Sequence, residues 1–296
     1  METMQEKILE YIESLNQQDV SQNTAVSYRR DLCKLADYFE MQDIRDWHIV
    51  TEVQLRAYLR CMENENKSAA TISRSIASMK AFFRYLVQNG EMAQNPAVQL
   101  KAPRIEKNEP HILTPEEVAL LLRQPDGKTV KSIRDSAMLE LLYATGIRVS
   151  ELVQLKTSDL NLAMEYIVCR QGKGERVIPF GKTAKKSLQT YLESARPALV
   201  TDPGCELLFT NLSGQKMSRQ GFWKILKQYG REAGIRGELT PHTLRHSFAA
   251  HLVNNGADLY AVQEMMGYSD LSAAQVYAKM RHAPIREVYT KAHPRE

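Results

Sequence analysis

Apolar residues in the first hundred positions recur at spacings of three and four, which is the period of an amphipathic helix. The first apolar stripe falls within residues 8–15. Two longer helices are predicted over residues 24–38 and 71–88, because Ser21 and Ser68 stand just before them as capping side chains. Few β-prone runs interrupt this part of the chain. The pattern therefore predicts an N-terminal bundle of helices.

Three prolines separate this helical part from the rest of the sequence. Pro96, Pro103 and Pro110 are interspersed with charged residues, a composition typical of an extended linker. The helix-start signature Thr114-Pro115 follows at once. We therefore predict a helical domain over residues 1–103, a linker over residues 104–111 and a second domain over residues 112–296.

The period of the apolar pattern changes within the second domain. Residues 132–154 are predicted to form two apolar helices interrupted at Gly146. The β-prone runs 166–169 and 176–179 flank a glycine-rich turn, which indicates a hairpin, and helices resume near residue 183. The predicted fold class is mainly α with a small antiparallel β-sheet, in which an N-terminal helical bundle precedes a mixed α+β domain.

Charge is distributed unevenly between the two predicted domains. The net charge of +4 divides into −2 over residues 1–103, with 12 basic and 14 acidic residues, and +6 over residues 104–296, with 27 basic and 21 acidic residues. A basic second domain suits a polyanionic partner such as nucleic acid.

The sequence shows no sign of a membrane or secreted protein. No apolar run approaches the roughly 18 residues that a membrane helix requires, and the opening METMQEKILE is unlike a secretion signal. The four cysteines are scattered without a CxxC pair, which argues against structural zinc or a disulfide framework. We expect a cytoplasmic protein that does not associate with membranes.

Two basic residues of the second domain are candidates for a role in DNA chemistry, although each also has an ordinary structural explanation. Arg148 precedes Glu151 at the spacing of an ordinary surface pair on a helix. Lys173 stands between two glycines at the predicted hairpin tip. A lysine there either keeps the turn soluble or projects into a DNA groove, as a phosphate contact or a general acid.

A second set of candidates lies near the end of the chain. His242 and Arg245 are one helical turn apart behind the helix start at Thr240, and a helix N-terminus favours anions, so a phosphate site is predicted. Zinc bound by His242 and His246 is the alternative, but the glutamate of an HExxH motif and a third ligand are missing. Tyr277 lies in a predicted helix, where most tyrosines simply pack.

The order of these features is more informative than any one of them. An arginine at a helix junction, a hairpin lysine, His-x-x-Arg at a helix start and a tyrosine about thirty residues later together resemble the tyrosine recombinase (phage integrase) family. The resemblance covers essentially the whole chain, including the first-domain run that begins at Asn23. It is strongest to the Xer recombinases, and the terminal His293-Pro294-Arg295 resembles one Xer branch more than the other.

The resemblance implies a covalent 3′-phosphotyrosyl bond to DNA, formed without a cofactor or metal. The implied catalytic residues are Arg148, Lys173, His242, Arg245, Tyr268 and Tyr277, with Glu151 as a supporting partner. Tyr268 departs from the family, which usually has histidine or tryptophan at that position. Its hydroxyl group can still donate a hydrogen bond to a phosphate oxygen, but it cannot carry a positive charge.

Each residue has an implied role in cleavage. Tyr277 would attack the scissile phosphate, whose non-bridging oxygens Arg148 and Arg245 would hold. Lys173 would protonate the 5′ leaving oxygen, and His242 would assist proton transfer at the nucleophile. The N-terminal helices would contact the opposite face of the DNA through Arg29, Arg30, Arg74, Lys80 and Arg84, although a solvated helix face is the plainer interpretation of that segment alone.

The implied partners are double-stranded DNA and a second Xer-type recombinase, in a homo- or hetero-tetramer on two DNA sites. Residues 283–289 have an apolar stripe that would dock on a neighbouring protomer or cap their own. A DNA translocase of the FtsK type is a further implied partner, and the implied task is resolution of chromosome dimers at a dif-like site during cell division. Integration of a mobile element is an alternative task.

Three other classes of protein compete with this interpretation. A catalytically impaired site-specific DNA-binding protein would agree with the tyrosine at position 268, whereas an intact Tyr277 argues against it. A type IB topoisomerase would share the nucleophile but not the Xer-like N-terminal domain. A metal-dependent nuclease would need a cluster of carboxylates for its ions, and none accompanies the basic residues.

Overall fold

The computed structural model describes residues 3–18, 20–104, 110–170, 174–268, 270 and 272–278. The chain separates into two compact units, residues 1–108 and 109–296. Lys173, most of the predicted linker and the predicted docking segment 283–289 lie outside the described residues.

The first unit is a helical bundle. Its α-helices are α1 Met4–Gln17, α2 Gln22–Glu40, α3 Glu52–Asn64 and α4 Ala69–Gln88, with a 3-10 turn at Trp47–Ile49. The side chains of Ser21 and Ser68 each accept a hydrogen bond from the backbone amide three residues ahead. The helices therefore begin directly after these caps, slightly before the starts that the apolar pattern predicts. Trp47 packs edge-on against Phe82 and Phe83 in the core.

The second unit combines helices with a small sheet. Its helices are α5 Pro115–Leu122, α6 Val130–Thr145, α7 Val149–Leu152, α8 Lys182–Thr190, α9 Arg196–Leu199, α10 Arg219–Glu232, α11 Pro241–Asn254, α12 Leu259–Met266 and α13 Ser272–Ala278, with a 3-10 turn at Thr157–Asp159 and a π-helical turn at Tyr191–Ala195. Its strands are β1 Leu160–Asn161, β2 Tyr166–Arg170 and β3 Glu175–Pro179, paired antiparallel in that order. The predicted fold class is confirmed.

The predicted hairpin is formed by β2 and β3, with Val168 opposite Val177. Each strand extends one residue further toward the tip than the β-prone runs indicate. Arg170 and Glu175 end the ladder as a cross-strand pair, in which Arg170 Nε donates to Glu175 Oε1 at 2.8 Å. Such an opposite-charge pair stabilises the ladder end where apolar burial has stopped.

Gly146 separates α6 from α7, as the sequence predicts, for two physical reasons. Its φ is +61°, in the left-handed region that favours glycine at a helix C-terminus. A Cβ atom at this position would also lie 2.2 Å from the ring of Phe248 on α11. The end of α6 therefore lies close against α11, and Arg148 follows two residues later as the N-cap of α7.

Helices α11, α12 and α13 form a small apolar cluster of their own. Phe248 and Val253 of α11 pack with Val262 and Met266 of α12, and Tyr277 of α13 completes the cluster. Burying Tyr277 against two helices fixes the position of its ring. The nucleophile candidate is thus part of a packed core rather than of a free surface.

Candidate active site

Arg148 is held in place from two directions. Its backbone amide donates to Glu151 Oε2 at 2.6 Å, and its Nη1 donates to Glu151 Oε1 at 3.3 Å. The same carboxylate therefore both caps α7 and orients the guanidinium group. Its Nη2 donates to the carbonyl oxygen of Gly267 at 3.0 Å. With these bonds in place, the guanidinium points in a fixed direction while remaining about a third exposed.

Glu151 joins two arginines from different elements. It is buried, and besides Arg148 it accepts a hydrogen bond from Arg176 Nη2 of β3 at 2.7 Å. The predicted surface pair is therefore a buried carboxylate between two guanidinium groups. Removing one partner of such a buried pair leaves an uncompensated charge. Arg176 also lies against Gly267, where a Cβ atom would sit 1.9 Å from its Nη1.

Arg245 is buried, with only 4% of its surface exposed. Its Nη1 donates to the carbonyl oxygen of Gly146 at 2.5 Å and its Nη2 to that of Met266, and the guanidinium lies 5.2 Å from the ring centre of Tyr268. Within the described part of the chain no carboxylate pairs directly with it. Burial lowers its pKa, because removing a charge from water is costly, and the nearby carboxylate of Glu151 offsets only part of that cost. A bound anion would supply a direct counter-charge.

His242 lies in the first turn of α11. Thr240 caps this helix by accepting from the amide of Thr243 at 3.2 Å, and the predicted helix start is confirmed. The side chain of His242 is exposed and lines a cleft of about 500 Å³ together with Arg148 and Arg245.

The cleft has a strongly basic lining. Arg219 and Trp223 of α10 contribute to it, and the sequence pattern singled out neither of them. Among the described residues that line it there are three arginines and no carboxylate. A helix N-terminus with converging arginines is a favourable environment for a phosphate group.

The hydroxyl group of Tyr277 makes two polar contacts inside the apolar cluster. Its Oη lies 2.5 Å from His246 Nδ1 and 3.1 Å from Tyr268 Oη. The side chain is 1% exposed, and burial raises its pKa well above the ordinary tyrosine value. Tyr268 therefore connects the two halves of the site, because its ring covers Arg245 and its hydroxyl reaches Tyr277.

His246, rather than His242, contacts the Tyr277 hydroxyl group. The centres of the two histidine rings are 6.4 Å apart. Burial lowers the pKa of His246, and positive charge on His242 and Arg245 lowers it further, which favours the neutral ring. The zinc alternative paired His242 with His246, but Nδ1 of His246 faces Tyr277 instead.

The predicted residues of the second unit fall into two groups that meet at Arg245. Arg148, Glu151, His242 and Arg245 surround or support the basic cleft. Tyr268 and Tyr277 form the polar contact behind it. The structure adds Arg176 and His246 to these groups, and Lys173 falls outside the described residues.

The basic candidates of the first unit differ among themselves. Arg29, Arg30 and Arg84 are exposed, and Lys80 is half-buried. Arg74 instead uses Nε and Nη2 to donate to the two carboxylate oxygens of Asp31, each at 2.8 Å. Asp31 is 5% exposed, so this bidentate pair is part of the bundle.

Comparison with known proteins decides the family. The chain matches the model of the phage integrase family over residues 111–283 and that of the phage integrase N-terminal SAM-like domain over residues 8–90. The chain belongs to the phage integrase family. Tyrosine recombinase XerD of Staphylococcus epidermidis is 42% identical over 296 residues, all of both chains, and XerD of Staphylococcus aureus is 41% identical over the same span.

These relatives confirm the predicted resemblance and specify the Xer branch as XerD. The protein is a tyrosine recombinase, a site-specific DNA recombinase with a tyrosine nucleophile. The solved post-cleavage complex of the XerH recombinase with palindromic difH substrate has a TM-score of 0.74 at 22% identity and covers 97% of this chain and 88% of that one. At this identity the likeness supports the fold alone. None of the helices in the described ranges is long and apolar enough to cross a membrane.

Proposed function

We propose that this recombinase resolves chromosome dimers at a dif-like DNA site during cell division, working with a second Xer-type recombinase in a tetramer on two sites. The full-length identity of 41–42% to XerD proteins supports the task. A DNA translocase of the FtsK type is the proposed activator. Double-stranded DNA is the proposed partner because the chain is a site-specific DNA recombinase similar to XerD proteins. The XerH recombinase, which shares the fold, was solved with a palindromic difH substrate.

The observation that carries the chemistry is the convergence of Arg148 and Arg245 on one basic cleft, linked through Tyr268 to the hydroxyl of Tyr277. The two arginines hold the non-bridging oxygens of the scissile phosphate and stabilise its negative charge in the transition state. Their anchoring to backbone carbonyls and to Glu151 means that little reorganisation is needed during the reaction.

Cleavage then conserves the energy of the phosphodiester bond. Tyr277 Oη forms a bond to the phosphorus while the bond from phosphorus to the 5′ oxygen breaks, which leaves a 3′-phosphotyrosyl link and a free 5′ hydroxyl. Lys173 is the proposed donor of a proton to that 5′ oxygen, and His242 contacts the phosphate from the first turn of α11. Rejoining is the reverse attack by a 5′ hydroxyl, so no nucleotide cofactor is consumed.

The burial of Tyr277 adds one requirement to this scheme. Because its side chain is 1% exposed, DNA binding must open a path between the phosphate and the hydroxyl. Tyr268 stands between Arg245 and Tyr277, so its movement is the smallest change that would open one. Its hydroxyl would then donate to a phosphate oxygen instead of to Tyr277.

The first unit supplies DNA contacts in the same proposal. Arg29, Arg30 and Arg84 are exposed and able to reach phosphates, and Lys80 of α4 is half-buried. Arg74 contributes mainly through its pair with Asp31, with only part of its guanidinium left for DNA. Residues 283–289 are the proposed contact with a neighbouring protomer.

A covalent-adduct assay tests the chemistry. The protein is incubated, without added metal, with a nicked suicide DNA that contains its binding site, and the products are separated on a denaturing gel. We expect an adduct with wild type and none with Tyr277→Phe, which keeps the packed ring and removes only the hydroxyl. An adduct with Tyr277→Phe, or no adduct with wild type on DNA that it binds, would contradict the proposal.

A further inference from the structure

His246 has a relation to Tyr277 that the family resemblance does not assign. A tyrosine hydroxyl has one hydrogen to donate, and a neutral imidazole nitrogen that lacks a proton can only accept. In the neutral tautomer of His246 that carries its proton on Nε2, the 2.5 Å contact is a bond from Tyr277 Oη–H to Nδ1, and we assign this tautomer. Tyr277 then has no hydrogen left for Tyr268, so in the second contact Tyr268 donates to the Tyr277 oxygen at 3.1 Å.

The surroundings of His246 favour that protonation state. The groups facing its ring are His242 and Arg245 on its own helix and Tyr277 on α13. Two of these are basic and one is a neutral phenol. Among the described groups no carboxylate is present at the ring to favour its protonation.

We propose that His246 is a further catalytic residue, the general base whose Nδ1 takes the proton of Tyr277 Oη as the tyrosine attacks the phosphate. This inference rests on the proposed role of Tyr277 as nucleophile. The Oη–H bond breaks as Nδ1–H forms, and the Oη–P bond forms as the bond to the 5′ oxygen breaks. That oxygen receives its proton from a different donor.

The position of His246 suits this task better than that of His242. His246 follows Arg245 directly on α11, so the base keeps a fixed distance from the arginine that binds the phosphate. His242 is exposed on the cleft side. The two histidines thus divide the work, with His242 at the phosphate and His246 at the nucleophile.

Substitution by asparagine separates proton transfer from hydrogen bonding. In His246→Asn the amide oxygen can occupy the place of Nδ1 and accept the tyrosine hydrogen bond, but it cannot remove the proton. We expect adduct formation to slow about 100-fold or more, the usual contribution of a general base, with DNA binding unchanged. The matched control His242→Asn should retain the acid limb described next, moved toward higher pH because charge on His242 lowers the pKa of His246.

The pH dependence of the cleavage rate distinguishes a general base from a residue that only packs, because loss of packing alone would not change it. Protonated His246 cannot accept a proton, so the wild-type cleavage rate should fall as pH falls through the pKa of His246, which burial places below the ordinary histidine value. This acid limb should disappear in His246→Asn. It should persist in His242→Asn.

Two chemical substitutions sharpen the test. DNA with sulfur in place of the bridging 5′ oxygen has a leaving group that needs no proton, so it should rescue Lys173→Ala and not His246→Asn. Fluorotyrosine placed at position 277 has a more acidic phenol and should restore part of the activity of His246→Asn. A structural defect would respond to neither change.

The outcomes are distinct. An unchanged cleavage rate in His246→Asn, or a faster one, overturns the inference, and a faster rate would make the His246 bond a restraint on the nucleophile instead. Loss of activity without rescue by fluorotyrosine, in a variant whose thermal unfolding shows it folded, also overturns it. If wild type itself forms no adduct on DNA that it binds, the proposed function has failed and this inference fails with it.

Discussion

The arginines of the two units are partnered in different ways. In the helical bundle, Arg74 pairs with the carboxylate of Asp31, while Arg29 and Arg30 extend from the surface. In the second unit, the guanidinium of Arg245 is buried, and among the described residues it bonds to carbonyl oxygens and lies against an aromatic ring, with no carboxylate in direct contact. One arrangement neutralises the cation within the fold, and the other keeps it fixed without a direct ion pair in the described part of the chain.

This difference separates the structural cation from the proposed catalytic one. A buried arginine without a counter-ion destabilises the free protein, and that destabilisation is relieved when an anion binds. An exposed arginine costs the free protein nothing but must lose side-chain entropy on binding. A cation that the fold holds in place is therefore suited to stabilising a transition state. An exposed, mobile cation is suited to binding phosphates of the DNA backbone.

The largest expected effect comes from breaking the fixed arginine site. Arg245→Lys keeps the charge but cannot reach both carbonyl oxygens and a phosphate at once. We expect adduct formation to fall about 1000-fold, close to the loss of one preorganised donor to a transition state, while DNA binding weakens far less. Single-turnover cleavage of nicked DNA measures the first quantity and a gel-shift titration the second.

Arg30→Lys is the matched control for that substitution. It also changes arginine to lysine, but at an exposed position of the first unit, and it should leave the cleavage rate within about twofold, as is usual for surface substitutions. A similar loss of rate in both variants would contradict the distinction between fixed and mobile cations.

A smaller effect is expected from Gly267→Ala. The new Cβ would overlap the guanidinium of Arg176 and so displace a partner of Glu151, which orients Arg148. We expect cleavage to slow about tenfold and stability to fall by about 2 kcal/mol, the upper range of left-handed strain for a non-glycine residue. Cleavage kinetics and chemical denaturation test the two effects separately.

Gly234→Ala is a control that introduces the same backbone strain as Gly267→Ala without a steric contact. Gly234 has a similar φ, +69°, but nothing lies within 4 Å of its Cβ position. It should show a loss of stability from strain and no loss of cleavage rate. An equal effect of the two substitutions on cleavage would mean that the contact between Gly267 and Arg176 is irrelevant to the site.

The features predictable from sequence are those with a local physical cause. Ser21 and Thr240 cap helices through neighbouring amides, and Gly146 ends a helix with its own backbone conformation. Each signal lies within a few residues of its effect. The helices, the hairpin and the helix-start position of His242 could therefore be read directly from the chain.

The features that escaped prediction depend on distant contacts. His246 meets Tyr277 across 31 residues, and Arg176 meets Glu151 across 25. Before the fold is known, His246 has no feature that distinguishes a base from a zinc ligand or a packing residue. Arg74 is the converse case, because its pairing with Asp31 across 43 residues cannot be seen in a helix face that looks merely basic.

The smallest expected effects concern that pair and test whether Arg74 also binds DNA. Arg74→Gln leaves the nearly buried Asp31 without its bidentate partner, so we expect a loss of about 1–2 kcal/mol in stability, less than for a fully buried pair because Arg74 is partly exposed. Arg30→Gln should leave stability unchanged.

For DNA binding the order of the two effects is reversed, because Arg30→Gln should have the larger effect and reduce the salt dependence of binding by about one counter-ion. Arg74→Gln should change it less, since most of its guanidinium is occupied by Asp31. Titrations at several salt concentrations, beside chemical denaturation of both variants, measure these quantities. An equal reduction in salt dependence would show that Arg74 contacts phosphate despite its pair with Asp31, and the division between structural and DNA-binding cations in the first unit would then fail.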